Sequence, residues 1–360
     1  MTGFKVIHST FGNGIITETH GKYITVRFNE KSCRFIYPDV FGEHLKAEDP
    51  THQANILREL ALLHSAEEDR LRTENAAKAA ATEREKSIKL AALMDELNSL
   101  VGLEQVKHDV QSLLNFIRIC QLRTERGMKT PIVSYHLVFT GNPGTGKTTV
   151  ARIIGELYHL MGILSKGQLI ETDRSGLVAG YLGQTALKTQ KVIQEALGGV
   201  LFIDEAYSLA NAHHDSYGKE AIETLLKAME DHRDELIVIV AGYDIPMHQF
   251  IESNPGLRSR FNKYFRFPDY SPSELTQIFR KFCQDNGYIL SAEANTTLFS
   301  TFNKIHENKT EHFGNARTVR NLFEEVIANQ ANRLASVPDI SDHELTELTA
   351  VDLTPSAIIP

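Results

Sequence analysis

The sequence predicts an α/β fold in which a parallel sheet with crossover helices is followed by a helical lid and preceded by a small β-barrel and a helical linker. Three observations predict it. From about Leu97 to Ser336, short β-rich runs alternate with helical patterns. Before them lies a charged, alanine-rich stretch with no Gly or Pro after Pro50. The first fifty residues read as short strands broken by glycine-bearing turns. Alternating strands and helices call for a parallel sheet, and a run of short strands calls for a separate β module.

Residues 1–50 contain "FKVIHS", "GIITET", "YITVRFN" and "CRFIYP", separated by turns such as "FGNG" and "THGK". In "YITVRF", Tyr23, Thr25 and Arg27 fall on one face and Ile24, Val26 and Phe28 on the other, the period of a half-buried strand. A small five-strand barrel satisfies such a run. Its basic residues (Lys5, Lys22, Arg27, Lys31, Arg34, Lys46) are matched in number by acidic ones (Glu18, Glu30, Asp39, Glu43, Glu48, Asp49). The module is formally neutral and so a poor nucleic-acid clamp by charge alone.

Residues 51–98 favour helix strongly. Their middle, "AEEDRLRTENAAKAAATEREK", has almost no large apolar side chain, so the helix is a solvated spacer. Glu67, Glu68, Arg70 and Arg72 belong to that wet face.

Residues 99–270 carry the runs "YHLVFT" (135–140), "QLIET" (168–172), "VLFID" (200–204) and "LIVIVA" (236–241). They are apolar nearly throughout, as strands covered on both faces are. Val150, Ile153, Ile154, Leu157, Tyr158 and Met161 repeat at helical spacing. After "FPDYSP" the pattern becomes helical at about 272–286, 292–306 and 315–335, giving a lid over 271–336. Residues 337–360 carry prolines in "SVPD" and "LTPS" and read as a partly disordered tail.

The chain has 360 residues, enough for two or three domains. Its formal net charge of −8 and pI near 6.0 argue against nucleic acid as the main partner. Cys33, Cys120 and Cys283 are far apart and form no CxxC pair, which fits a reducing cytoplasm and neither a zinc ribbon nor a disulfide framework. "MTGFKVIHSTFGNG" has no signal-peptide pattern, and no apolar run reaches the ~18 residues of a membrane span.

"GNPGTGKT" satisfies G-x-x-x-x-G-K-[ST] after a predicted strand and at the start of a helix. It comprises Gly141, Asn142, Pro143, Gly144, Thr145, Gly146, Lys147 and Thr148, followed by Thr149. The glycines let backbone N–H groups curl around phosphates, and the helix aims its positive end at the same anion. Lys147 would reach the β- and γ-phosphates of ATP, and the Thr148 hydroxyl would hold Mg²⁺. "VLFIDEA" ends a buried strand with Asp204 and Glu205, at the edge where parallel sheets bind ligands. Asp204 suits Mg²⁺, mostly through its waters, and Glu205 suits a general base for the attacking water.

Further along, "SNPGLRSRF" places Arg258 and Arg260 just before a short strand. Arginine stabilises charge on a transferring phosphoryl group, and on a subunit edge such a residue would act on a neighbour's nucleotide. "FGNARTVRNLFEEVI" puts Arg317 at the start of a lid helix, in a position to report nucleotide state. "NAHHDSYG", with His213, His214 and Asp215, reads as a polar loop rather than a metal site, because no convergent ligands accompany it. His306 and His312 also lack ligand spacing.

The stretch from about Leu93 to Ala335 resembles a CbxX/CfxQ-type AAA ATPase, a group that includes red-type Rubisco activases, stage V sporulation protein K and type VII secretion ATPases. The resemblance rests on "HLVFTGNPGTGKTTVARI", "GYLGQTALKT", "GGVLFIDEAYSL", "YGKEAIETLLKAMEDHRDELIVIVAGY", "NPGLRSRF" and "NARTVRNLFE". It implies a Walker A pair at Lys147 and Thr148 and a Walker B pair at Asp204 and Glu205. It makes Arg260 the better arginine-finger candidate, with Arg258 beside it, and Arg317 the sensor-2 residue. The sensor-1 position departs from the wider pattern: the fourth strand runs into "VAGYDIP", leaving Tyr243 or Asp244 to fill it.

"GLVAGYLGQT" places one aromatic, Tyr181, with Leu182, among glycines and small residues. The composition alone fits either packing of Tyr181 under the helix that begins near Thr185 or an exposed grip. The resemblance implies the second, with Tyr181 and Leu182 facing the pore of a homo-hexameric ring. An aromatic grips many sequences because its contact is broad and rigid. The N-terminal strands resemble a Tudor/SH3-like module, through "VIHSTFGNGIIT" and "YITVRF", which implies docking of a partner protein. That module lies outside the red-type Rubisco activase pattern.

The function so implied is ATP-driven remodelling or threading of a protein client. The alternative is a nucleotide-gated scaffold that presents its N-terminal barrels to partners.

Overall fold

The structure is a computed structural model describing residues 1–29, 31–131, 133–181, 183–210, 216–311 and 313–353. The chain divides into two compact units, Met1–Ser87 and Ile88–Pro360.

The first unit holds five strands: β1 (Lys5–His8), β2 (Gly12–His20), β3 (Tyr23–Phe28), β4 (Lys31–Ile36) and β5 (Leu45–Ala47). They form one antiparallel sheet in the order β4-β3-β2-β1-β5. The alternation read in "YITVRF" holds: Ile24, Val26 and Phe28 are buried with Val6, Ile16, Phe41 and Leu45. The short β5 carries too little pattern to be seen in sequence. Ile56, in the long helix Pro50–Asn98, closes this core.

That helix buries apolar residues only near its ends. Residues 61–89 are exposed throughout, while Leu97, with Leu93 and Met94, packs into the second unit's core. The alanine-rich middle is helical by propensity rather than by packing.

The second unit is built on a parallel sheet of β6 (Leu137–Gly141), β7 (Leu169–Thr172), β8 (Val200–Ile203), β9 (Ile237–Gly242) and β10 (Tyr264–Phe267), in the order β10-β6-β9-β8-β7. Successive side chains alternate between two cores. Leu137, Phe139, Phe202, Ile239 and Ala241 join one; Val138, Leu201, Ile203, Val238 and Val240 join the other. Burial on both faces is why these strands read as continuous apolar runs. One face carries the helices Glu104–Glu125 and Lys147–Leu160, the other Thr185–Ala196, Ser216–Asp231 and Asp244–Glu252.

The lid comprises the helices Pro272–Asp285, Ala292–Glu307 and Ala316–Leu334. Ser271 and Glu274 form a reciprocal capping box at the start of the first, with Pro272 in its first turn. Phe279 sits between Phe302 and Phe323, with ring centroids 6.2 Å and 5.5 Å apart.

The tail expected after 336 is ordered over its described part. Asp342–Thr346 is helical, and β12 (Glu347–Leu348) pairs in parallel with β11 (Ile289–Leu290). Leu348 and Leu353 are buried in the lid core. Pro338 misleads because it sits at a bend in a segment that returns to the lid, and the proline of "LTPS" lies outside the described residues. No helix among the described residues is long and apolar enough to cross a membrane.

Candidate functional site

Strand order positions the site. β6, β9 and β8 are neighbours and parallel, so their C-terminal ends lie side by side at one edge of the sheet. The loops leaving that edge, together with the lid, enclose a cleft of about 380 Å³. β6 leads to Gly141, Pro143, Gly144, Gly146, Lys147, Thr148 and Thr149; β8 leads to Asp204 and Glu205; β9 brings Gly242 and Tyr243. The lid supplies Phe282, Ala316, Arg317 and Arg320.

Gly146 has φ +94° and precedes the helix Lys147–Leu160, a left-handed step that a side chain resists. At Gly144 a Cβ would run into the Gly314 carbonyl, so the loop can lie against the lid only as glycine.

The Lys147 ammonium donates to the carbonyls of Gly141 (2.8 Å) and Asn142 (2.9 Å). Burial lowers its pKa, Arg317 adds to the lowering, and Asp204, Asp244 and Glu205 oppose it. A cation held only by carbonyls has a stronger partner available in any anion that enters. The Thr148 hydroxyl faces Glu171 Oε1 at 3.4 Å.

Asp204 is tied to β7 by its N–H, which donates to the Thr172 carbonyl (2.8 Å). Glu205 adopts φ +49°, and its N–H donates to Asp204 Oδ1 (3.0 Å). A non-glycine residue in this conformation is uncommon. It turns the chain sharply at the strand end and leaves both carboxylates at the cleft.

Of the two sensor-1 candidates, Tyr243 lines the cleft. Asp244 begins the next helix and pairs with Arg266 at 3.4 Å. The Tyr243 ring lies 6.0 Å from that of Tyr207. Burial, then Glu205, pushes the Tyr207 hydroxyl up to about 12 and raises that of Tyr243, so both are neutral hydrogen-bonding groups near neutral pH.

Asn142 and Thr145 brace the loop instead of lining the cleft. The Asn142 amide donates to Asp269 Oδ1 (2.9 Å). The buried Thr145 hydroxyl donates to the Asn142 carbonyl (2.8 Å), and its own carbonyl accepts from the Tyr270 hydroxyl (3.2 Å).

Hard oxygen donors at Thr148 and Asp204 face the cleft, and no group of three or more His, Cys, Asp or Glu suited to a metal occurs among the described residues. Such a sparse donor set fits Mg²⁺, which keeps its waters and shares phosphate oxygens, and does not fit an all-protein metal cage.

Arg258 and Arg260 are outside the cleft lining, on the helix Pro255–Arg260. Arg260 Nη2 meets Glu230 Oε2 at 2.5 Å, and Arg258 Nη1 meets Glu252 Oε2 at 3.2 Å. Tyr181 is 74% exposed, which excludes packing under the helix that starts at Thr185. Leu182, His213, His214, Asp215 and His312 lie outside the described residues.

Sequence reasoning missed Arg320, Phe282 and Tyr207. Arg320 was detectable, being one turn after Arg317 on the same helix face; its guanidinium lies 5.8 Å from the Phe282 ring centre. It also missed Asp269 and Asn315, which meet only through the fold.

Comparison with known proteins agrees with this geometry. Residues 137–269 match the ATPase family associated with various cellular activities (AAA), and residues 271–358 match the AAA lid domain. Stage V sporulation protein K of Bacillus subtilis is 43% identical over 74% of this chain and 83% of its own length. The chloroplastic ribulose bisphosphate carboxylase/oxygenase activase of Cyanidioschyzon merolae is 39% identical over 76% and 94%. Protein CbbX of Cereibacter sphaeroides is 41% identical over 74% and 87%. With a parallel sheet, a helical lid and relatives matched over most of their length, the chain belongs to the AAA ATPases of the CbxX/CfxQ type.

Proposed function

We propose that the chain hydrolyses ATP with Mg²⁺ in the cytoplasm and uses the cycle, as a homo-hexameric ring, to remodel or thread a protein client. The observation that carries this reading is the meeting of Lys147, Thr148, Asp204, Glu205, Tyr243 and Arg317 in one cleft.

In this reading the phosphates lie along the backbone of Gly141–Thr148, and Lys147 leaves its two carbonyls for the β- and γ-oxygens. Thr148 and Asp204 hold Mg²⁺, which when bound offsets the charge that develops on the phosphates. Glu205 takes the proton of the attacking water. Arg317, from the lid, senses the phosphates. Tyr243, rather than the ion-paired Asp244, fills the sensor-1 position.

Arg260, with Arg258 beside it, reaches a neighbour's nucleotide. Placement outside the chain's own cleft supports a role across a subunit boundary. Tyr181 grips the client, and its exposure supports that role. The printed name of one relative supports action on a protein client, since it is an activase of another enzyme. The N-terminal module would dock a partner protein.

A client trap tests the reading. Tagged Glu205→Gln and the Glu205→Gln/Tyr181→Ala double variant are captured with ATP from the native cell. Proteins enriched on the first and lost from the second are pore-engaged clients. Proteins held equally by both would favour the nucleotide-gated scaffold and sink the threading reading.

A further inference from the structure

We infer that Asp269 is a positioning residue for nucleotide turnover: it joins the phosphate loop to the lid through a partly buried polar bridge, so that a phosphate arriving at Lys147 is felt at Arg317. The inference rests on nucleotide binding at the cleft and assigns a role to residues that do not line it.

Asp269 lies between β10 and the first lid helix, where the sheet gives way to the lid. One of its oxygens, Oδ1, accepts from Asn142 Nδ2 of the phosphate loop (2.9 Å) and from Asn315 Nδ2 of the lid (2.8 Å). The other, Oδ2, meets Lys309 Nζ at 3.0 Å. Asn315 is fully buried, and its Oδ1 accepts from the Tyr270 N–H at 2.9 Å. Its φ is +49°, and the helix carrying Arg317 begins at the very next residue. A second strap runs alongside, where the Ala316 N–H donates to the Gly144 carbonyl (3.1 Å).

Burial acts to raise the Asp269 pKa. The hydrogen bonds from Asn315, Asn142 and Lys309 outweigh it and hold the carboxyl below its ordinary value. Even a partly desolvated carboxylate is a costly way to hold two elements together when apolar contact would serve. What it adds is direction, because each amide has one place to sit.

Asn142 is the junction. Its main-chain carbonyl accepts from Lys147 Nζ, and its side chain donates to Asp269. When Lys147 turns to a phosphate, the stronger charge-assisted acceptor, that carbonyl is released. The Asn142 carbonyl then keeps only its bond from the Thr145 hydroxyl (2.8 Å); the loosened peptide shifts, and Asp269 carries the movement to Asn315 and the start of the Arg317 helix. Two arrangements of Lys147, on carbonyls or on phosphate, are the alternatives that a ligand selects between.

The test uses the full chain and ADP with Mg²⁺ as the probe, with Asp269→Ala, Asn142→Ala and Lys309→Met as variants. Asn142→Ala cuts the bridge at the loop and leaves every lid contact of Asp269 in place, so it carries the comparison if Asp269→Ala does not fold. Amide exchange at 314–320 and ADP affinity are the readouts. Wild type and Lys309→Met gain protection at 314–320 on binding ADP. Asp269→Ala and Asn142→Ala lose that gain and bind ADP about tenfold more weakly, the range of an ordinary coupling between sites. If either cut variant binds ADP and gains the same protection as wild type, Asp269 is only structural and the inference is overturned. If wild type does not bind ADP, the nucleotide reading itself fails, and this inference with it.

Discussion

Arg333 and Asp352 form a two-pronged ion pair, with Nε–Oδ1 at 2.8 Å and Nη2–Oδ2 at 2.9 Å, that fastens the end of the described chain to the last lid helix. Asp352 is 1% exposed and also accepts from the Thr349 N–H and hydroxyl. Burial acts to raise its pKa, but the bonds from Arg333 and Thr349 win and lower it. Asp352→Ala leaves Arg333 without its partner and should cost about 2–3 kcal/mol, read by urea denaturation with amide exchange at 342–353. The folded pKa is below the unfolded one, so the pair stabilises fully above the ordinary aspartate range and is lost as pH falls through the lowered folded value. An unchanged midpoint in the variant would refute this account of the lid's end.

Glu205→Gln keeps the shape of the cleft and removes the proposed base. Turnover should fall by about 10²–10⁴-fold while ATP affinity stays within about threefold, seen by single-turnover hydrolysis beside equilibrium binding. Full turnover in the variant would move the base to another group.

Arg260→Ala should leave ATP affinity nearly unchanged and lower turnover by about 10³-fold, the scale of an arginine supplied from a neighbour. The lost pair with exposed Glu230 contributes little to stability by itself. Mixing Arg260→Ala with Glu205→Gln subunits should restore part of the activity, because some interfaces then join an intact base to an intact arginine. No recovery at any mixing ratio would argue that Arg260 acts within its own chain.

His136 predicts an acid limb. It is buried, its Nδ1 accepts from the Val238 N–H (3.0 Å), and burial, then Arg260 and Lys263, lower its pKa from 6.5 to about 4. Above pH 6.5 neither state is protonated here; between 6.5 and 4 the unfolded chain binds a proton that the folded chain refuses. Stability therefore drops on acidification across that window, by up to about 3 kcal/mol. His136→Asn should flatten this limb in denaturation curves taken at pH 7 and 4.5. The same slope in both proteins would assign it to other groups.

The phosphate loop, the acidic strand end and the lid helices were legible because each signal is local. "GNPGTGKT" is contiguous, "VLFIDEA" joins an apolar strand to its acids, and the lid helices repeat at helical spacing. What sequence hid is what only topology supplies. Nothing in the strands says that β9 lies between β6 and β8, yet that order brings Tyr243 into the cleft and leaves Asp244 beside Arg266. Asp269 reaches partners 127 and 46 positions away, so no window contains the bridge. β11 and β12, two residues each, are too short for a period to register. The exposure of Tyr181 was open on composition, since small neighbours suit a tucked ring as well as a bare one.

The long helix has an evolutionary consequence. Between residues 61 and 89 it buries no side chain, so no core specifies its length. Removing about 18 residues there, five whole turns, would leave both cores intact and keep the helical phase. Selection can lengthen or shorten this stretch without repacking either core, which makes it a site where descendants of one ancestor can diverge in length while keeping the same ATPase core.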